Sequence, residues 1–553
     1  MKKILSLIVL AIAALSAAGQ SFSETIYTID TINNDTVWGE TLFFNVISPN
    51  EAELTSSPNG YGGNFVVPAS ILHDETTYLI TAIGNNAFMS CQYLYSVTLS
   101  DTLEMIGDMA FGDCPNLTAV ALPVSLQSIG DYAFNDCGVV SLDIPAALTH
   151  IGSFAFLDCT ALEAVNVSSS NQNYSSDGGV LYDKLKDTLL YYPVAKVAET
   201  YAMPDNVVTI IQNAFKGNTY LKNLTLSSNL ASIGDYAFNG CNKLLSVNIP
   251  MGVQRIGTEA FKDCTKLTAV NVDENNQYYA ASGGVLHNKG KDSLIYCPCG
   301  KVGNYAISDS VERILDYAFY NCSSLTGITI PNSVNDIGEY AFSGCGKITA
   351  VSIPSSVTII KERTFMDCIR LQSVSLNEGL TELGSYAFAN CAVSSISFPS
   401  TMEEIGNFAF SSCETLESII SSAAAPPVLY QFTFNMIADN AKIYVPCQYE
   451  ANYMAADFWR DLTFGDCIGN SLSDIEQKIS INVYPNPTKD VLNVESASNI
   501  TTIELFNILG QRVFVSKPNN KVAIINVSDF KQGNYILKSY TENGISTKKV
   551  VFQ

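Results

Sequence analysis

SIGDYAFNDC, residues Ser128–Cys137, returns almost letter for letter as SIGDYAFNGC, residues Ser232–Cys241. The Phe of this motif recurs at positions 88, 111, 134, 156, 215, 238, 261, 319, 342, 365, 388 and 410. Nearly every step is 22 or 23 residues; two are 59 and 58, each one normal repeat plus an inserted segment. A chain that repeats one short unit twelve times builds by stacking, because a single unit cannot bury its own apolar face.

The unit reads roughly I-G-x-x-A-F-x-x-C-x-x-L-x-x-V-x-I-P, with the period of a leucine-rich repeat. Its second half, as in LTAVALP (Leu117–Pro123) or LLSVNIP (Leu244–Pro250), predicts a short strand of alternating burial, ended by a Pro that cannot donate to the ladder. Gly is expected to open the next turn with positive φ, and Ala-Phe to form a tight helical or 3₁₀ turn that drops the ring inward. The expected fold is an α/β repeat solenoid with a short strand and a short helical turn per coil. At about 4.7–4.9 Å between strands, twelve coils extend on the order of 55–60 Å.

Eleven cysteines (91, 114, 137, 159, 241, 264, 322, 345, 368, 391 and 413) fall three residues after a repeat Phe. Stacked at one coil position, they would point in parallel into the core. Their number is odd, and Asn218 replaces one of them. They are therefore expected to be buried free thiols serving as small apolar residues. Cys297 and Cys299, in IYCPCG, have half the look of a metal site, but no second pair lies nearby and one residue separates them, so no metal is expected.

The 553 residues are 47% hydrophobic and 15% charged, a globular composition too long for one core. A net charge of −23 excludes a nucleic-acid partner, which needs a basic surface. The leader MKKILSLIVLAIAALSAAGQ carries two lysines, a short apolar run and small residues, which predicts a secretory signal over 1–19. No other stretch has transmembrane length. The first cysteine is Cys91, so a lipid-anchored N-terminus is not expected.

The unit resembles the BspA-like leucine-rich repeat family over about Ile83 to Ile420, and its Ala-Phe turn and Cys are absent from ordinary leucine-rich repeats. The inserted segments GGVLYDKLKDTLLYYP (Gly178–Pro193) and GGVLHNKGKDSLIYCP (Gly283–Pro298) read as β-hairpins. The resemblance implies a bacterial cell-surface protein, of a kind that includes adhesins for host matrix proteins or other bacteria. From about Ile479 the pattern changes to six or seven short strands, which predicts a small all-β sandwich. Its pieces Tyr484, Pro485, Asn486 and Pro487, LFNILGQRV around Gly510, GNYIL from Gly533, and Lys548 with Lys549 resemble a type IX secretion C-terminal sorting domain. The chain ends Val-Phe-Gln where such domains more usually end in basic residues. That resemblance implies passage through the secretion machinery and removal of the domain as the product reaches the outer surface. The expected layout is a signal at 1–19, an N-terminal cap at 20–82, the solenoid at 83–420, a C-terminal cap at 421–468, a linker at 469–478 and the sorting domain at 479–553.

No catalytic constellation is legible. His73, His150 and His287 stand far apart without zinc spacing, and no nucleophile elbow, H-E-x-x-H or phosphate loop occurs. Neither an enzyme nor a cofactor is expected. On the outward strand positions, small residues such as Ala119, Ala121, Ser373 and Ser375 predominate, whereas binding hot spots favour Trp, Tyr and Arg. The insertions instead concentrate Tyr174, Tyr182, Tyr191, Tyr192, Tyr278, Tyr279 and Tyr296, about half of them expected in the core and the rest as ligand contacts. The expected function is adhesion to host matrix or other surface proteins. The competing expectation is a structural spacer without a discrete ligand.

Overall fold

A computed structural model of the chain describes residues 21–29, 36–468, 481–507, 512–541 and 544–552. The leader and the linker lie outside them. The chain divides into two compact units, Met1–Lys301 with Phe319–Cys322, and Val302–Ala318 with Ser323–Gln553.

The first unit opens with antiparallel strands Ser21–Ile29, Thr36–Ser48 and Glu51–Thr55. Glu51–Thr55 then pairs in parallel with Thr76–Ile83, which pairs in parallel with Met105–Ile106 of the first coils. From there each coil contributes to parallel ladders. One joins strands such as Leu94–Thr98 and Ala119–Ala121, in the register Ser96 to Ala119 and Val97 to Val120. A second joins two-residue strands, Met105–Ile106 to Ser128–Ile129 to His150–Ile151. In Ala119–Ala121 only the central Val120 faces inward, as the alternation predicts.

The expected helical turn is not formed. Around Phe111 the bonds run from residue i to i−3, Ala110 N–H to Gly107 O and Gly112 N–H to Met109 O. Met109 and Asp113, two residues before and after the Phe, have φ of 49° and 57°. A left-handed residue cannot continue a right-handed helix, so two such residues per turn forbid one. The freed amides bond along the stack instead. Phe88 N–H donates to Ala110 O, Phe111 N–H to Ala133 O and Phe134 N–H to Ala155 O, at 2.7–2.8 Å. The turns thus form a third ladder. Among the described residues the α-helix assigned is Glu450–Ala455, beyond the last repeat Phe.

The Gly before the turn has a different cause from the one expected. Gly130 is not among the positive-φ residues. A Cβ there would lie 2.6 Å from the backbone nitrogen of Asp108 in the preceding coil, so close approach of the coils excludes any side chain.

The core is a column of rings. Centroids lie 4.9 Å apart from Phe88 to Phe111, 5.2 Å from Phe111 to Phe134 and 5.4 Å from Phe238 to Phe261. All eleven repeat cysteines are buried free thiols, as expected. They are more than apolar filler, because many are hydrogen-bonded. Cys114 Sγ donates to Phe88 O, Cys137 to Phe111 O and Cys241 to Phe215 O, at 2.7–3.2 Å. Asn218 fits the scheme: its Nδ2 donates to Pro193 O and Val194 O, in the hairpin segment that precedes its coil.

The second unit repeats this construction. Phe342, Phe365, Phe388 and Phe410 stack at 5.1–5.5 Å within 13° of parallel. Phe434 and the buried Trp459 extend the column past the last repeat, where Trp459 Nε1 donates to Pro427 O and Tyr453 Oη to Ala423 O. Cys447 and Cys467 form a disulfide there. The C-terminal residues build one six-stranded sheet with its own core. The long strand Val491–Asn507 pairs with four others, and Thr488 bridges Phe552 near the end of the last strand. This is a curled, barrel-like sheet in place of the expected sandwich. One long strand shared by so many partners leaves no second sheet to pack against.

Candidate functional site

Each insertion is a three-stranded meander of one design. The first uses Tyr174–Asp177, Val180–Asp183 and Thr188–Tyr191; the second uses Tyr279–Ser282, Val285–Asn288 and Ser293–Tyr296. Equivalent residues stand 105 positions apart: Asn171 and Asn276, Tyr174 and Tyr279, Tyr191 and Tyr296. Asn171 anchors the first by donating to Pro145 O and Leu148 O and accepting from the Asn173 and Tyr174 amides. Asn276 makes the matching bonds to Pro250, Val253, Tyr278 and Tyr279. The Lys184 ammonium donates to Asn171 O and that of Lys289 to Asn276 O.

These meanders use most of their tyrosines internally. Tyr182 and Tyr192 are fully buried, and burial pushes both phenols up to about 12. Tyr192 stacks on Phe215 at 4.6 Å, extending the ring column where a repeat Phe is missing. Tyr191 is 8% exposed and lies against Phe156. Tyr174 and Tyr279 are half-buried, each accepting a hydrogen bond from the last backbone N–H of a short strand, Ile151 and Ile256. Tyr296 Oη donates to Phe261 O. Of the seven, Tyr278 is the most exposed residue, at 49%. A meander that closes a repeat stack must supply core rings, and alternating apolar residues in so short a segment do not reveal which tyrosines those are.

A second aromatic set was not singled out by sequence reasoning. The residue two before each of the twelve repeat Phe residues is left-handed and is half-buried or exposed. In the second unit, successive coils place Tyr317, Tyr340, Arg363, Tyr386 and Phe408 there, and Phe432, two before Phe434 and without positive φ, continues the row. Tyr317 and Tyr340 stack at 4.8 Å, Tyr386 and Phe408 at 4.8 Å, and Phe408 and Phe432 at 5.0 Å. The Arg363 guanidinium lies between, 5.3 Å from the Tyr340 ring and 4.8 Å from that of Tyr386. It also bonds the Tyr340 hydroxyl and pairs with Glu362 at 2.9 Å. Five of the six are half-buried and Phe432 is exposed, so the column shows its edges to solvent as a ribbon. The signal was the recurring Tyr of DYAF, EYAF and SYAF.

In the C-terminal sheet Tyr484, Pro485, Asn486 and Pro487 are exposed, as are Lys548 and Lys549. Asn486 joins the two segments: its Nδ2 donates to Lys549 O and its Oδ1 accepts the Val551 N–H. Gly533 begins the strand Gly533–Thr541 and pairs with Phe552. Gly510 lies outside the described residues.

Residues 81–178, 194–282 and 292–417 match, in six copies, the family described as BspA type Leucine rich repeat region. Residues 482–553 match the Secretion system C-terminal sorting domain. Ulvan lyase NLR42 of Nonlabens ulvanivorans is 40% identical over 73 residues, which is 13% of this chain and 13% of the lyase. Among solved structures, a leucine rich cell surface protein from Faecalibacterium prausnitzii A2-165 is similar at 28% identity and a TM-score of 0.48, over 69% of this chain and 93% of its own. The Pneumococcal vaccine antigen PcpA is 19% identical at a TM-score of 0.42, over 78% of this chain and 97% of that one. The chain therefore belongs to the BspA-type leucine-rich repeat family and carries a type IX secretion sorting domain, which directs it to the cell surface or the extracellular space.

Proposed function

We propose that this surface protein is an adhesin whose repeat array binds protein partners, such as host matrix or the surface proteins of other cells. The ribbon Tyr317, Tyr340, Arg363, Tyr386, Phe408 and Phe432 is the observation that carries this reading. Tyr and Arg are the residue types that dominate protein interfaces. Stacking on neighbours holds these side chains in place before a partner arrives, which lowers the entropic cost of binding, about 0.5–1.5 kcal/mol for each mobile side chain. Tyr278, exposed on the second insertion, is the remaining hairpin contact. Secretion would begin with the leader at 1–19 and finish with removal of the sorting domain.

The test is attachment of cells displaying the chain to immobilised matrix proteins, mucus and partner bacteria. The triple variant Tyr340→Ser, Arg363→Ser and Tyr386→Ser is expected to lose most attachment while the array remains folded by circular dichroism. Tyr278→Ser is expected to weaken it less. Full attachment by the triple variant would move the site off the ribbon, and no attachment by the unaltered chain would favour the spacer.

A further inference from the structure

Beside the first insertion the third ladder is interrupted. In a regular coil three turn amides donate to the next coil, as Tyr132 does to Ser153 O, Phe134 to Ala155 O and Asp136 to Leu157 O. The equivalent N–H groups of Phe154, Phe156 and Asp158 have no acceptor among the described residues. Across the gap, the coil of Phe215 offers the matching carbonyls. Ala214 O is taken by Tyr192 N–H, while Gln212 O and Lys216 O receive no donor among the described residues. One end is closed by the ion pair of Lys216 with Asp158 at 3.1 Å.

The space between the two rails is a cleft of about 550 Å³, lined by Phe154, Phe156, Gln212 and Asn213 and floored by Leu181 and Tyr191. That volume suits a short ligand. The Tyr191 ring is buried there and lies against Phe156.

We infer that this cleft binds an extended peptide segment of a partner protein, which inserts as the missing rung of the turn ladder. Phe154 and Phe156 are two residues apart, the spacing at which one edge of an extended chain presents successive carbonyls. The opposite edge of that chain would donate to Gln212 O, so both polarities of the gap are met by one backbone. Alternate side chains would enter the apolar floor of Leu181 and Tyr191. Main-chain bonds of this kind give affinity and the pockets give side-chain preference. The cleft uses none of the ribbon residues, and its test does not depend on theirs.

Amide hydrogen exchange at Phe154 and Phe156 in the full chain tests the inference, with a pool of short, end-capped randomised peptides at millimolar concentration as the probe. Exchange is expected to slow at least about tenfold, as for an amide drawn into a stable hydrogen bond. Gln212→Trp, made at an exposed position on the rim, should fill the mouth and abolish that protection while exchange in the neighbouring coils stays unchanged. No slowing with the pool, undiminished slowing in Gln212→Trp, or equal slowing by neutral glucose oligomers would each overturn the assignment, the last in favour of a saccharide.

Discussion

At the scale of single residues, the cysteine column shows how one side chain can serve packing and polarity together. The thiol is small enough for the coil interior and donates to the carbonyl of the preceding Phe turn. Burial pushes Cys159 and Cys241 up to about 12 and Cys413 up to about 11, so these three resist becoming thiolates, and all thirteen free cysteines are buried. Alkylation of the native, unreduced chain should therefore label almost none of them. After unfolding without reductant it should label 13, leaving Cys447 and Cys467 joined. A clearly lower count would mean that column thiols are oxidised. The raised values also fix a pH response. An unfolded thiol ionises from about pH 9 while the folded one stays protonated toward 12, so the unfolded state binds fewer protons across that window. Stability is then full below pH 9 and falls as pH rises from 9 toward 12. Denaturant midpoints measured across that range should decline steadily, and a flat profile would contradict the burial.

The element that sequence reasoning misjudged is the turn. Its period, its ring and its thiol were all legible, because each repeats at a fixed position whatever the backbone does. Its conformation was not, because Ala and Phe are compatible with a helix and the decisive residues flank them. Asp113, Asp136, Asp158, Gly217 and Gly240, two after each Phe, were the available clue, since Asp and Gly tolerate positive φ. The same limit applies to the insertions. Their tyrosines were visible as a cluster, but burial depends on which rings replace missing core Phe residues, and no local pattern encodes that. The turn geometry is testable at Asp136, which is exposed and has φ of 55°. Asp136→Gly should leave the unfolding free energy within about 0.5 kcal/mol of the parent. Asp136→Val should cost about 1–2 kcal/mol or more, because a β-branched residue is strained there. Equal tolerance of both would mean that the left-handed turn is not obligatory.

Across the whole molecule, the repeats and the sorting domain answer to different demands, one to stay on the outer surface and the other to reach it. Intact-mass measurement of the surface-attached product should find a chain that ends between about 464 and 479, without residues 482–553. A mass that still includes Gln553 would show that the domain is kept. The equivalence of Asn171 and Asn276, and of the meanders they anchor, bears on how such a protein changes length. Two homologous junctions 105 residues apart in one coding sequence invite unequal recombination, and a crossover between them removes or adds whole coils in register. Deleting residues 171–275 would place Asn276 where Asn171 stands, so the shortened chain should still fold cooperatively by circular dichroism and thermal melting, whereas a deletion ten residues longer should not. Natural length variants of this protein should then differ by steps of that size, making reach from the cell a quantity that selection can adjust without redesigning any coil.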